Sequence, residues 1–149
     1  MAKKFAFRLE SLLSLRSHRV EQEKNAMLEI QGKRIAKENE IAENYTMLAN
    51  AYANKVGTTT IEMLQINYHR QIFIKERIAK LEKERSNLLE IEEQRRKILS
   101  DALRDEKVLE KLKERQLENY KHEMNCAENA FMDEIVNNKA ARQNMEASR

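Results

Sequence analysis

The chain contains no proline and only two glycines, Gly32 and Gly57, in 149 residues. Those two residue types end helices and build tight turns. A chain almost without them folds into a few long helices joined by very few turns. Ala, Glu, Lys, Arg and Leu make up more than half of it, the mixture typical of long helices and coiled coils. With 36% charged and 5% aromatic residues, there is too little apolar material for the thick layers of a sandwich, a barrel or a doubly wound sheet. The Leu, Ile, Val and Phe content still exceeds that of disordered chains, so order is expected.

The apolar residues recur with helical spacing. Leu13, Val20, Met27 and Ile30 are followed by Ile41, Tyr45, Leu48 and Tyr52, and steps of three, four, seven and eleven keep a seam on one helix face. The pattern stops at Lys55-Val56-Gly57-Thr58-Thr59-Thr60. Gly57 suits a left-handed C-terminal cap, and Thr59 with Glu62 has capping-box spacing. A second seam runs through Ile61, Leu64, Tyr68, Ile74, Ile78 and Leu81. From Leu88 it follows a heptad frame through Ile91, Arg95, Ile98, Ala102, Asp105, Leu109, Leu112 and Gln116, then shifts near Tyr120 and continues through Met124, Ala127, Phe131 and Ile135. Arg95 and Asp105 within that frame either pin the register or snorkel to its edge.

The expected fold is therefore all-α: two long helices forming an antiparallel coiled-coil hairpin. The helices are expected at about 5–56 and about 60–140, with the turn at about 56–59 and a frayed C-terminus, all in one domain. The second helix, about 120 Å if unbroken, is longer than the first at about 75 Å. From about Leu109 it should overhang without a partner, and its apolar stripe needs a cover from elsewhere.

The same composition excludes most chemistry. A phosphate-cradling loop needs several glycines, so Gly32-Lys33-Arg34 is not one. His18, His69 and His122 are far apart and form no metal-ligand motif. Glu92-Glu93 and Asp133-Glu134 read as solvated helix faces. The lone Cys126 reads as a small buried hydrophobe near the overhang seam. No catalytic, cofactor or metal site is expected. With one cysteine, no secretory signal and no run of eighteen apolar residues, the expected location is a reducing cytoplasm, and the Asn44-Tyr45-Thr46 sequon is a coincidence.

Charge is uneven. Residues 1–56 carry ten basic and seven acidic side chains, so the formal net charge of +3 resides there. Lys3, Lys4, Arg8, Arg16 and Arg19 face Glu10 alone at its start, interleaved with Phe5, Phe7, Leu9, Leu12, Leu13 and Leu15. Such a helix could lie on an anionic membrane, dock an acidic protein groove or act as a presequence. Docking is favoured because the seam runs on past Val20 without a break. Nucleic acid is disfavoured, because basic residues beyond the first helix are matched one for one by acids.

Two stretches carry a family resemblance. The run Phe5-Ala6-Phe7-Arg8-Leu9-Glu10-Ser11-Leu12-Leu13-Ser14-Leu15-Arg16, followed by a Glu-rich helix, resembles the opening signature of the flagellar export protein FliJ family. Leu109-Glu110-Lys111-Leu112-Lys113-Glu114-Arg115, Tyr120, Glu123 and Met132-Asp133-Glu134 resemble its ending. The resemblance implies a non-enzymatic antiparallel coiled coil similar to the central shaft of rotary ATP synthases. It would be a stalk in the pore of the hexameric flagellar export ATPase that connects the ring to the membrane export gate, with an escort role toward other export chaperones. It also implies a cytoplasmic location at the flagellar base and membrane association only through partners.

On that resemblance the ATPase contact would comprise Leu9, Leu12, Leu13, Leu15, Arg16, Leu109, Leu112, Lys113, Arg115, Tyr120 and Met124. The gate contact would comprise Tyr68, Ile72 and Phe73, whose spacing departs from the family's Tyr-x-x-Phe arrangement. The residues alone leave two other readings open, a stalk or chaperone of a virulence-type secretion system and a peripheral membrane helix protein.

Overall fold

In the computed structural model, which describes residues 3–53 and 60–148, the chain is all-α. It has two helices, α1 (Glu10–Ala53) and the longer α2 (Ile61–Ala147), packed against each other with no strand among the described residues. The expected turn, including Gly57 and Thr59, lies outside the described residues. Helix α2 begins one residue later than the capping-box spacing implied. The Thr60 hydroxyl accepts a bond from the Met63 amide at 3.3 Å, which makes Thr60 the N-cap and places Glu62 in the first turn, where its charge complements the helix dipole. At the far end α2 runs to Ala147 rather than about 140.

Tertiary contacts divide the chain into two compact units, one of Met1–Ser17 with Arg104–Arg149 and one of His18–Leu103. In the His18–Leu103 unit the helices run antiparallel, as the contacts of Glu23 with Arg95, Arg34 with Glu92 and Asn67 with Ala51 require. The seam on α1 repeats every seven residues, the period of a left-handed coiled coil. Val20 and Ile41 are buried and Met27 and Leu48 half-buried along one row; Asn44 and Ala51 are buried along the other. Ile74, Ile78, Leu81 and Ala102 are buried opposite, as the spacing predicted.

Several seam positions differ from those expected, each by about one residue. Tyr45 and Tyr52 are exposed, and Asn44 and Ala51 are buried instead. On α2, Ile61, Leu64 and Tyr68 are exposed, and Asn67 and Gln71 face α1. The row Leu88, Arg95, Ala102 and Leu109 is as expected, but its companion is Glu92, Leu99 and Glu106 rather than Ile91, Ile98 and Asp105. Polar pairing accounts for Asn44, Asn67 and Glu92; the buried Gln71 side-chain nitrogen has no hydrogen-bond partner among the described residues. Glu92, expected on a solvated face, is only 5% exposed. It accepts a bond from Arg34 Nε at 2.7 Å and one from Gln31 Nε2 at 3.4 Å. Asn44 donates to the Glu40 carbonyl at 2.7 Å, and Asn67 to the Ala51 carbonyl at 3.0 Å. Once partnered in this way, a polar side chain can sit in the seam. Arg95, half-buried, reaches toward Glu23 at 3.6 Å.

Charges around this seam are linked. Glu38 pairs with Arg34 at 2.9 Å and with Arg85 at 3.1 Å, and Lys37 pairs with Glu84 at 3.0 Å. Hydrogen bonds from Arg34 and then Arg85 hold the Glu38 carboxyl below the usual carboxylate range, against a desolvation effect that raises it. Lys37 does the same for Glu84. A carboxylate lowered in the folded state contributes stability above its unfolded pKa and loses it as pH falls through the folded value. The urea midpoint should therefore be flat near neutral pH and fall in the acid range, and Glu38→Gln should reduce that fall.

The buried pair generates a second expectation. Glu92→Leu alone leaves Arg34 at the seam with one carboxylate fewer, and the urea midpoint should drop. Arg34→Leu combined with Glu92→Leu should return it to the wild-type value or above, because a packed apolar layer replaces an ion pair without its desolvation cost.

Candidate interaction surfaces

In the unit of residues 1–17 with 104–149, residues 3–9 are not helical, so α1 starts at Glu10 rather than near residue 5. Phe5, Phe7 and Leu9 alternate with the exposed Lys4, Ala6 and Arg8, the period of an extended segment with one apolar face. That face lies on α2. Phe7 and Leu13 form a buried core with Leu109, and Phe5, Leu9 and Leu112 pack against it. The Phe5 and Tyr120 rings lie 5.6 Å apart at 48°, and the Tyr120 hydroxyl donates to the Lys3 carbonyl. The Phe7 carbonyl accepts from the Glu10 amide at 3.1 Å and that of Leu9 from the Leu13 amide at 2.9 Å, which carries the segment into α1.

This arrangement corrects the expectation that α2 lacks a partner from Leu109 onward. The N-terminal segment covers Leu109 and Leu112 and reaches Tyr120. It also sorts the residues assigned to an ATPase contact. Leu13 and Leu109 are core; Leu9, Leu112 and Tyr120 are held by the segment. Arg16 pairs with Asp105 at 3.0 Å and Lys113 with Glu10 at 2.8 Å. Leu12, Leu15 and Arg115 are exposed and Met124 half-buried. Farther along α2, Phe131, Met132, Ile135 and Val136 are all exposed. Cys126 is exposed rather than buried, with its sulfur 3.7 Å from His122 Nε2, because no other described segment packs against this part of α2.

The second surface is in the His18–Leu103 unit. Tyr68 (58%), Ile72 (37%) and Phe73 (66%) are exposed, and so are Ile61, Met63, Leu64 and Ile66 around them. Consecutive apolar residues cannot all face one seam; here Ile74 takes the seam and Ile72 and Phe73 point away from it. Phe73 lines a groove of about 480 Å³ with Met47 and Ile74, rimmed by Arg70, Arg77, Glu40 and Glu43. Nearby, Lys75 Nζ lies 5.5 Å from the Tyr52 ring centroid. Hydrogen bonding to Tyr52, followed by the charge effects of Tyr52 and Tyr68, raises the Lys75 pKa.

The sequence reading missed Met47, whose side chain joins Phe73 only across the two helices. It also read the Phe5-Phe7-Leu9 alternation as part of a helix. Among the described residues no three His, Cys, Asp or Glu side chains gather where they could hold a metal ion. No helix there is long and apolar enough to cross a membrane.

Two packed helices with exposed apolar side chains define a coiled-coil protein. The model of the family described as Flagellar FliJ protein matches residues 5–145, nearly the whole chain, and the chain belongs to that family. It is thus a component of the flagellar protein export apparatus. No curated protein and no solved structure matches the chain.

The core under the N-terminal segment makes a direct prediction. Phe7→Ala and Leu109→Ala should each destabilise this unit by roughly 2–3 kcal/mol through lost burial and a residual cavity. Hydrogen exchange at the Glu10 and Leu13 amides should accelerate in both variants, while amides of Ile74 to Leu81 keep their protection.

Proposed function

We propose that this chain is a non-enzymatic coiled-coil stalk of the flagellar export apparatus, contacting the hexameric export ATPase through one unit and the membrane export gate through the other. The observation that carries the reading is the family match over residues 5–145. Support for two contacts comes from two separate groups of exposed apolar residues, one in each unit, which monomeric proteins seldom leave open without use.

The ATPase surface is Leu12, Leu15, Arg115 and Met124, with Arg16 and Lys113 at its edge. Leu13, Leu109, Leu9, Leu112 and Tyr120 act behind it by shaping the core that presents it. Basic residues there speed encounter with acidic loops of the ring, and the leucines supply contact area. The gate surface is Tyr68, Ile72 and Phe73. A role as escort for other export chaperones would use the same exposed apolar groups while the chain is off the ring. Membrane association is through these partners, at the cytoplasmic face of the flagellar base. The lipid-binding alternative is weakened because Phe7 and Leu13, the apolar residues such a helix would insert, are spent in the core.

Two variant sets test the assignment. Leu15→Asp with Arg115→Glu should weaken binding to the purified export ATPase, more so at low salt, and abolish any stimulation of its hydrolysis rate, while gate binding persists. Tyr68→Ala with Phe73→Ala should weaken binding to the gate protein and spare the ATPase. Circular dichroism should show full helicity in both. If either set removes both interactions, or neither set affects its own, the two-surface assignment is wrong.

A further inference from the structure

Every residue of α2 from Asn125 to Ala147 is exposed. Phe131 is 63%, Ile135 45% and Val136 60% exposed. At 100° per residue, Met124, Phe131 and Ile135 share one face, which continues through Asn138 and Arg142. Glu128 and Lys139 lie on the same edge of that face, eleven residues or about 16 Å apart along the axis.

The order of charges narrows what can cover this face. Of the charges on or beside this face, Glu128 and Glu134 come first, Lys139 and Arg142 follow, and Glu146 closes the series. An acidic partner would meet the carboxylates and a basic one the Lys139 and Arg142 end. A parallel copy would set the Glu128 and Lys139 edge against the other edge, where Ala127, Glu134, Asn138 and Met145 offer Glu128 no basic partner. An antiparallel copy sets Glu128 against Lys139 and Lys139 against Glu128, because in antiparallel helices the same edges face each other.

We propose that this face of α2 pairs with the same face of a second copy of the chain, antiparallel, about a twofold axis passing between Phe131 and Ile135. In that register Phe131 of one copy lies against Ile135 of the other, and the contact occurs twice, as an isologous interface requires. Glu128 and Lys139 form two symmetry-related pairs, and Met124 meets the aliphatic stem of Arg142. The contact spans about 28 Å of helix from Met124 to Arg142. Two helices of that length bury an area at or below the low end of stable interfaces, about 1,200 Å² in total. The pairing is therefore reversible and concentration-dependent, and it covers the apolar face when no other protein does. It shares only Met124 with the proposed ATPase surface, and its central residues, Phe131 and Ile135, belong to neither that surface nor the gate surface.

Sedimentation equilibrium of the full-length protein alone, from low micromolar to submillimolar concentration, tests it. The wild type should pass from monomer to dimer across that range, and Phe131→Asp with Ile135→Asp should stay monomeric with unchanged helicity. Lys139→Glu should raise the dissociation constant about tenfold, and adding Glu128→Lys to the same chain should bring it back to within about threefold of the wild type. A parallel pair gives no such rescue, since residues eleven apart do not meet in it. A wild type that is monomeric throughout, a dimer insensitive to Phe131→Asp with Ile135→Asp, or a Lys139→Glu defect that Glu128→Lys does not repair would each overturn the proposal.

Discussion

Two helices side by side can bury only one stripe each, and in the His18–Leu103 unit that stripe is held by charge as much as by apolar contact. The bond from Arg34 to Glu92 at 2.7 Å lies in the same seam as Val20, Ile41, Ile74, Ile78, Leu81 and Ala102. Apolar residues drive the association, but they would tolerate several alignments of two seven-residue repeats. The carboxylate accepts one alignment, because a buried charge is stable only against its partner. Which residues end up outside, including Tyr68 and Phe73, depends on that alignment.

Fold class, helix number and the greater length of the second helix were legible in the sequence, because no proline and two glycines leave little else. One row of each seam was legible too, since Val20, Ile41, Ile74 and Leu81 are apolar. The companion rows were not. Periodicity counts apolar residues, and Asn44, Gln71 and Glu92 are polar yet buried: Asn44 bonds back to the Glu40 carbonyl of its own helix, and Glu92 finds Arg34 only once both helices are in place. Thus Ile91 and Ile98 were read as seam residues when they lie just outside it. The N-terminal segment failed for a different reason. Phe5, Phe7 and Leu9 alternate with period two, which would put Phe7 about 200° from Phe5 on a helix, but the stretch is short and runs straight into the Leu12-Leu13 seam of α1, and packing on Leu109 and Leu112 keeps it non-helical.

The candidate surfaces were legible in part. Tyr68, Ile72 and Phe73 stand exposed where the sequence placed a contact segment. The group around Leu9 to Leu15 and Leu109 to Met124 divides into core and surface, a distinction that composition and spacing do not carry. Family membership supplies the cellular setting, the flagellar export apparatus, and the structure supplies which side chains are available within it.

The Arg34 to Glu92 layer also has a mechanical side. Sliding one helix along the other by a single repeat would set Glu92 against Met27 or Ile41 and leave Arg34 facing Leu99 or Arg85. Either displacement strands a charge against apolar side chains or against its own kind. Intermediate displacements break the Glu38 and Lys37 contacts as well. The pair of helices is thus stiff to axial shear while still free to bend, since bending stretches no single ion pair by much. A push applied along one helix in this unit is passed to the other with little slip.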